Sequence, residues 1–290
     1  MRQITLEELL SAGCHFGHQV TRQNPKARDF VFESRDNIHI IDLAKTKEGL
    51  EEAAVFIRDL GATEGSSLVV IGTKRQAQPV VIAQIKKAEE AGASDGLFSV
   101  TNRWIGGILT NFAEVSKNFE KLADLASKLV NDEEKSKYTK KEIGDWAKEK
   151  QKLESFYGGI STMKKTPDAL FIIDTHLEEL AVREAKVMGV TTVGIVDTNA
   201  DPEVIDYVIP ANDDALGSVE LIVGHIMDAW IEGRKALKIK AEKAQAKAVA
   251  DKEKEEKKVA AEKAPAKAAK PKVKKEANGK SRSEKTKKTS

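Results

Sequence analysis

At 290 residues, with 40% of them hydrophobic, the chain is long enough for one large domain or two ordinary ones and rich enough for a core. A single cysteine excludes an internal disulfide framework, Glu7 and Glu8 interrupt what would be a signal peptide, and no apolar run approaches the roughly 20 residues of a membrane span, so a cytosolic protein is expected. The net charge of +2 hides a division, because residues 234–290 hold 21 Lys and Arg against 8 Asp and Glu, leaving 27 against 38 in residues 1–233.

A body that acidic meets nucleic acid only through local basic patches, with the tail adding a sequence-independent attraction. Thr5 and Glu8 have the spacing of a capping box, and Leu6, Leu9 and Leu10 give a short helix one apolar face before Gly13. From Cys14 to Arg28 the pattern is irregular. Cys14, His15 and His18 cluster, but the other histidines, His39, His176 and His225, are scattered, so no metal and no cofactor is expected. Arg22, Lys26 and Arg28 surround Asn24-Pro25, and two readings stand: a solvated loop or a phosphate-contacting arm. Phe30–Glu33 and Ile38–Leu43 flank an Asp-Asn turn and predict a β-hairpin. Leu50, Ala53, Ala54 and Ile57 stripe a helix from about Thr46 to Leu60.

Ser67–Ile71 reads as a strand covered on both faces. Thr73 and Gln76 have capping-box spacing, which places Lys74 and Arg75 in the first turn of a helix. Cations there oppose the helix dipole unless an anion sits before them, so the turn is either solvated or an anion site. Neither a P-loop nor a G-x-G-x-x-G fingerprint follows the strand. Leu97–Val100 is a second strand. It runs into N-R-W-I-G-G-I-L-T-N-F, Asn102 to Phe112, where Arg103 and Trp104 offer planes that stack on bases or meet phosphate. The competing reading is a tight turn anchored by a buried tryptophan.

Asn111 and Glu114 again have capping-box spacing. Phe112, Val115, Phe119, Leu122, Leu125 and Leu129 then form a coiled-coil seam. After a charged turn over Asn131–Lys137, Thr139 and Glu142 start a returning helix with Ile143, Trp146, Leu153 and Tyr157 on one face, Lys150 interrupting the seam. The expected product is an antiparallel helical hairpin about 30 Å long, with Val115, Phe119 and Trp146 as partner-binding residues. Strands follow at Leu170–Ile173, Thr191–Val196 and Tyr207–Ile209, with helices opening at Asp174-Thr-His176, at Asp201-Pro202 and after Asn212, the last running through Trp230. The predicted fold is α/β: a three-layer α/β/α, mostly parallel five-stranded sheet carrying the inserted hairpin. Three segments are expected: a discontinuous globular domain over 1–110 and 158–236, the hairpin over 111–157, and a basic Lys/Ala/Glu tail over 237–290, partly helical and then disordered. Asp174 and Asp197 lie at strand ends, where doubly wound enzymes keep their sites. No nucleophile–base pair, metal motif or phosphate loop accompanies them, so catalysis is not expected.

Eight stretches, residues 9–19, 24–26, 38–46, 71–77, 102–112, 167–174, 195–202 and 209–215, together resemble one family, the small-subunit ribosomal protein S2, in its bacterial form with the helical insertion. The resemblance implies a flavodoxin-like domain without enzymatic activity, set between the head and body of the small ribosomal subunit. It implies contact with small-subunit (16S) ribosomal RNA and neighbouring proteins, and docking of ribosomal protein S1, which delivers messenger RNA. Carried over by position, the expected RNA-binding residues are Arg22, Asn24, Lys26, Arg28, Lys74, Arg75, Asn102, Arg103 and Trp104. Cys14 stands where the family usually has a plain apolar residue, and the basic tail lies outside the shared pattern.

Overall fold

A computed structural model describes residues 2–131, 135 and 137–262, with side chains as far as residue 243. The chain begins with α1 (Leu6–Ser11), whose capping box is present in both directions between Thr5 and Glu8. Three short strands follow, β1 (Phe16–Gln19), β2 (Val31–Arg35) and β3 (Ile38–Ile41), in an antiparallel sheet of order β1-β3-β2. Asp36 and Asn37, at φ 50° and 61°, form the two-residue turn between β2 and β3, a conformation that suits the twist of a hairpin. The sequence pattern does not announce β1. Its four residues include Gly17, His18 and Gln19, and pairing with β3 rather than local propensity makes it a strand.

Next come α2 (Leu43–Gly61), β4 (Leu68–Ile71), α3 (Ala77–Glu90) and β5 (Leu97–Val100). The two hairpin helices are α4 (Phe112–Val130) and α5 (Lys140–Tyr157). The chain then passes through β6 (Ala169–Ile172), α6 (Glu179–Met188), β7 (Thr191–Val196), β8 (Tyr207–Pro210) and α7 (Leu216–Glu262). All five strands from β4 onward are parallel, in the order β5-β4-β6-β7-β8. Every residue of β4 and β6 is buried, as continuous apolar runs require.

Because strand side chains alternate, the sheet has two cores. On one face Leu68, Val70, Phe171, Val193, Ile195 and Ile209 meet α2, α3 and α7 through residues such as Leu50, Ile57, Val81, Ile222 and Trp230. On the other, Val69, Ile71, Leu170 and Ile172 meet Ala181, Val182 and Ala185 of α6 and the base of the hairpin. Buried Cys14 belongs to the first core, where desolvation pushes its thiol pKa up, so it serves as a small apolar residue. The described chain groups into two units, divided between Ala241 and Glu242. The first contains the hairpin. Of the second, residues 242–262 are helical, as the end of α7, and the predicted disorder beyond lies outside the described residues, as does part of the predicted Asn131–Lys137 turn.

Several predicted caps differ in detail. The helix after β4 begins at Ala77 with no side-chain cap, so Lys74 and Arg75 lie in the preceding loop, and Thr73 bonds Glu178 instead. Asn111 caps α4 with its backbone carbonyl and not its side chain. Asp174 accepts from the backbone of His176 and Leu177 in a turn, and α6 starts later, at Glu179. Asp201 caps only the short 3-10 turn Pro202–Val204.

Gly49 sets how closely α2 approaches β8, because a Cβ there would collide with the backbone carbonyl of Val208. Alanine in a helix ordinarily gains about 1 kcal/mol over glycine. Gly49→Ala is expected to reverse that sign and destabilise the chain by about 1–3 kcal/mol through overpacking. A lowered urea midpoint at unchanged slope is the check.

Candidate nucleic-acid interface

The carboxyl ends of the parallel strands gather most of the singled-out residues. The loops after β4, β5, β6, β7 and β8 meet there, and the amino-terminal segment is tied to them. The His18 amide donates to Thr198 Oγ1 at 3.0 Å and the Asn24 amide to the Thr198 carbonyl at 2.8 Å. The Asn212 amide donates to the Cys14 carbonyl at 3.1 Å. A side chain on Gly17 would run into Thr198, so this approach depends on glycine.

The order of the strands reverses between β4 and β6, the place where doubly wound folds open a ligand crevice. Here Lys74 fills it. Its ammonium lies 2.8 Å from Asp174, 2.9 Å from Asp213 and 2.8 Å from Asp214. Burial alone would lower the lysine pKa, but the Asp213 charge and the bonds to Asp174 and Asp214 outweigh it and raise it. Burial and the Asp174 and Asp197 charges push the Asp213 carboxyl up to about 7 against the pull of Lys74. Lys74 is therefore the counter-ion of its own protein, not a free phosphate contact. Lys26 is likewise engaged, 2.8 Å from Asp201 and 2.6 Å from Glu203. Asn24 caps the turn that carries it, accepting from the Lys26 amide at 3.0 Å.

The Asn102–Phe112 stretch is organised by a residue from another element. The Glu184 carboxylate on α6 accepts from the amides of Gly107 at 2.8 Å, Leu109 at 3.1 Å and Thr110 at 3.2 Å. It also accepts from the Thr110 hydroxyl at 3.2 Å and the Trp104 indole N–H at 3.3 Å. Burial pushes its pKa up, yet these donors win and hold it below the usual glutamate value. Trp104 is 3% exposed and so is core, with no face free to stack on a base. Asn102 donates its side chain to the Ser155 carbonyl and fastens α5 to the loop.

Four arginines remain. Arg22, Arg28, Arg75 and Arg103 are exposed on these same loops, and none forms an ion pair among the described residues. In the hairpin, Phe119 stacks edge-on with Tyr157, and Lys121 pairs with Glu149, so α4 and α5 run antiparallel. Val115 at 7% and Phe119 at 6% exposure sit in the second core and give a partner no surface. Trp146, half-buried, packs edge-on against Tyr138 under Lys128.

Sequence reasoning misses Glu184. Its one signal is an acid amid the apolar positions Ala181, Val182 and Ala185 of α6. It also misses the meeting of His18 with Asp213 and Asp214, which nothing local foretells.

The family profile described as Ribosomal protein S2 matches residues 9–233. The small ribosomal subunit protein uS2 of Geotalea uraniireducens (strain Rf4) is 45% identical over 240 residues, covering 83% of this chain and 90% of that protein.

Glu184→Ala is expected to orphan several buried donors at once and destabilise the fold by about 3–5 kcal/mol, read from denaturant midpoints. Because the folded pKa is depressed, the Glu184 contribution is complete above the ordinary glutamate value of 4.5 and is lost as pH falls through the lower folded value. The stability gap between wild type and Glu184→Gln should therefore narrow on acidification below pH 4.5.

Proposed function

The chain belongs to the ribosomal protein S2 family, and from that premise we propose that it docks on small-subunit ribosomal RNA through the carboxyl edge of its sheet. It is a non-enzymatic structural constituent of the small ribosomal subunit. The unequal fate of its cations carries the proposal. Lys26 and Lys74 are taken up by carboxylates, whereas Arg22, Arg28, Arg75 and Arg103 are left exposed around them. Guanidinium groups held on short, internally bonded loops suit bidentate phosphate contacts, and they stand on a body that is otherwise acidic. Asn24, Lys26, Asn102 and Trp104 act behind this surface, by shaping the loops that present it. The proposed RNA is 16S ribosomal RNA between head and body, in the cytoplasmic ribosome, beside neighbouring small-subunit proteins.

Docking of ribosomal protein S1 is assigned to the distal half of the hairpin, where Tyr138 and Trp146 offer an aromatic surface. Val115 and Phe119 lie nearer the hairpin root, packed in the second core, and are not part of that surface.

A tagged chain should sediment with small subunits in a high-magnesium gradient, and recovery in the soluble fraction alone would sink the proposal. Arg75→Ala and Arg103→Ala should each weaken RNA binding and flatten the slope of log K against log salt by about 0.7–0.9 for each phosphate no longer neutralised, without moving the thermal midpoint. Lys74→Ala should instead lower the midpoint by stranding buried Asp174 and Asp213. Replacing residues 127–146 with a short turn should abolish S1 retention and spare RNA association. Retained S1 would remove the hairpin from that role.

A further inference from the structure

One stripe of α7 lines an open groove. Gly217, Leu221, Gly224 and Asp228 follow one another at spacings of four, three and four, so they share one helix face about 16 Å long. The first half of this face floors a groove of about 780 Å³ whose other wall is α1, through Glu7, Glu8 and Ser11. Glu220 and Leu221 carry the groove on into a second hollow of about 190 Å³, beside Arg2, Ile4 and His225. We propose that this groove docks a helix of another small-subunit protein, one that turns a Lys- and Arg-bearing face towards α1 and α7.

Charge selects the partner. Glu8 is paired with Arg2 and Asp228 with Lys87, which leaves Glu7 and Glu220, both exposed, without a cation among the described residues. His225 adds no positive charge, because burial pushes its pKa down. The two unanswered carboxylates stand on opposite walls. They repel an RNA backbone, and they would repel each other if a second copy of this chain were laid on the same face. Basic side chains from another protein answer both. None of Arg22, Arg28, Arg75 and Arg103 lines the groove, so this surface is separate from the proposed RNA edge.

The floor selects the shape. It is a helix stripe and not a sheet edge, so it offers an extended segment no row of unpaired backbone groups, and packing of a helix into a groove is the mode that fits. Gly224 gives an independent sign. Glycine inside a helix costs stability relative to alanine, and the chain gains no packing from it here. An added Cβ would meet only the Gln84 amide nitrogen, at an ordinary 3.6 Å. Gly217 differs, since a Cβ there would press on the Ala12 carbonyl at 3.0 Å. The room above Gly224 therefore serves something outside the chain, and close approach of a partner is what a bare helix position allows.

The test places the photo-cross-linker benzoylphenylalanine at Ser11, on the α1 wall, in small subunits assembled with the full-length chain. Sedimentation reports membership of the particle and the cross-link reports the groove, so the two readings can fail separately. The expected product is one peptide of another protein, with Lys or Arg at three- and four-residue spacings. Glu7→Lys and Glu220→Lys should each cut its yield at least fivefold. Gly224→Ala should cut the yield while raising the thermal midpoint of the isolated chain. A cross-link to RNA, to a second copy of this chain or to nothing would overturn the proposal. So would unchanged yields in both lysine variants, or a lowered midpoint in Gly224→Ala.

Discussion

The Glu184 carboxylate brings a negative charge into the layer between sheet and hairpin, and the loop from Asn102 to Phe112 is wrapped around it. Gly107 sits at φ +96° and donates its amide to that carboxylate, while Leu109, Thr110 and Trp104 supply the remaining donors. The same loop supplies Ile108, Leu109 and Trp104 to the core and leads directly into α4. The hairpin root, the end of β5 and the exposed Arg103 thus take their positions from one buried acid. A helix such as α6 can carry that acid because its neighbours on the buried face are small: Ala181 and Ala185 let the loop backbone come close. Low local dielectric then strengthens every one of those hydrogen bonds, and it would penalise each donor if the acid were absent.

The carboxyl edge follows a related logic with a different outcome. A doubly wound sheet opens a crevice where its strand order reverses, and enzymes of this class leave that crevice to a ligand. Here the Lys74 ammonium occupies it, bound to Asp174 and Asp213, both nearly buried. The chain has turned a ligand position of the fold into an internal ion cluster. That cluster holds together loops from β4, β6 and β8, and through His18 it reaches β1. Rigid loops are what a docking surface needs, because side chains fixed before association lose less entropy on binding.

Much of this was legible in the sequence. The five parallel strands, the hairpin and the helices between them follow from apolar runs and from three- and four-residue spacings, which are local signals of burial. What escaped is tertiary. β1 forms only because β3 offers it a partner. Lys74 reads as an anion-binding cation until Asp174 and Asp213 are brought to it from 100 and 139 residues away. The balance between phosphate contact and internal counter-ion depends on those distant acids, and no pattern around Thr73-Lys-Arg encodes them. Trp104 divides in the same way: its neighbourhood allows stacking or burial, and Glu184 decides for burial.

The separation of lysine from arginine follows from their chemistry. An ammonium is compact and strongly hydrated, and it is well satisfied by the convergent carboxylates around Lys26 and Lys74. A guanidinium is planar, less tightly hydrated and able to present two parallel donors to a phosphate. A body with 27 Lys and Arg against 38 Asp and Glu offers a polyanion no long-range attraction of its own, so its share of the affinity must come from short-range contacts of high geometric quality. Arginines on the rim of that ion cluster meet that requirement. The acids beneath them are held by Lys26, Lys74 and His18, and so repel an approaching phosphate less than the overall charge would suggest.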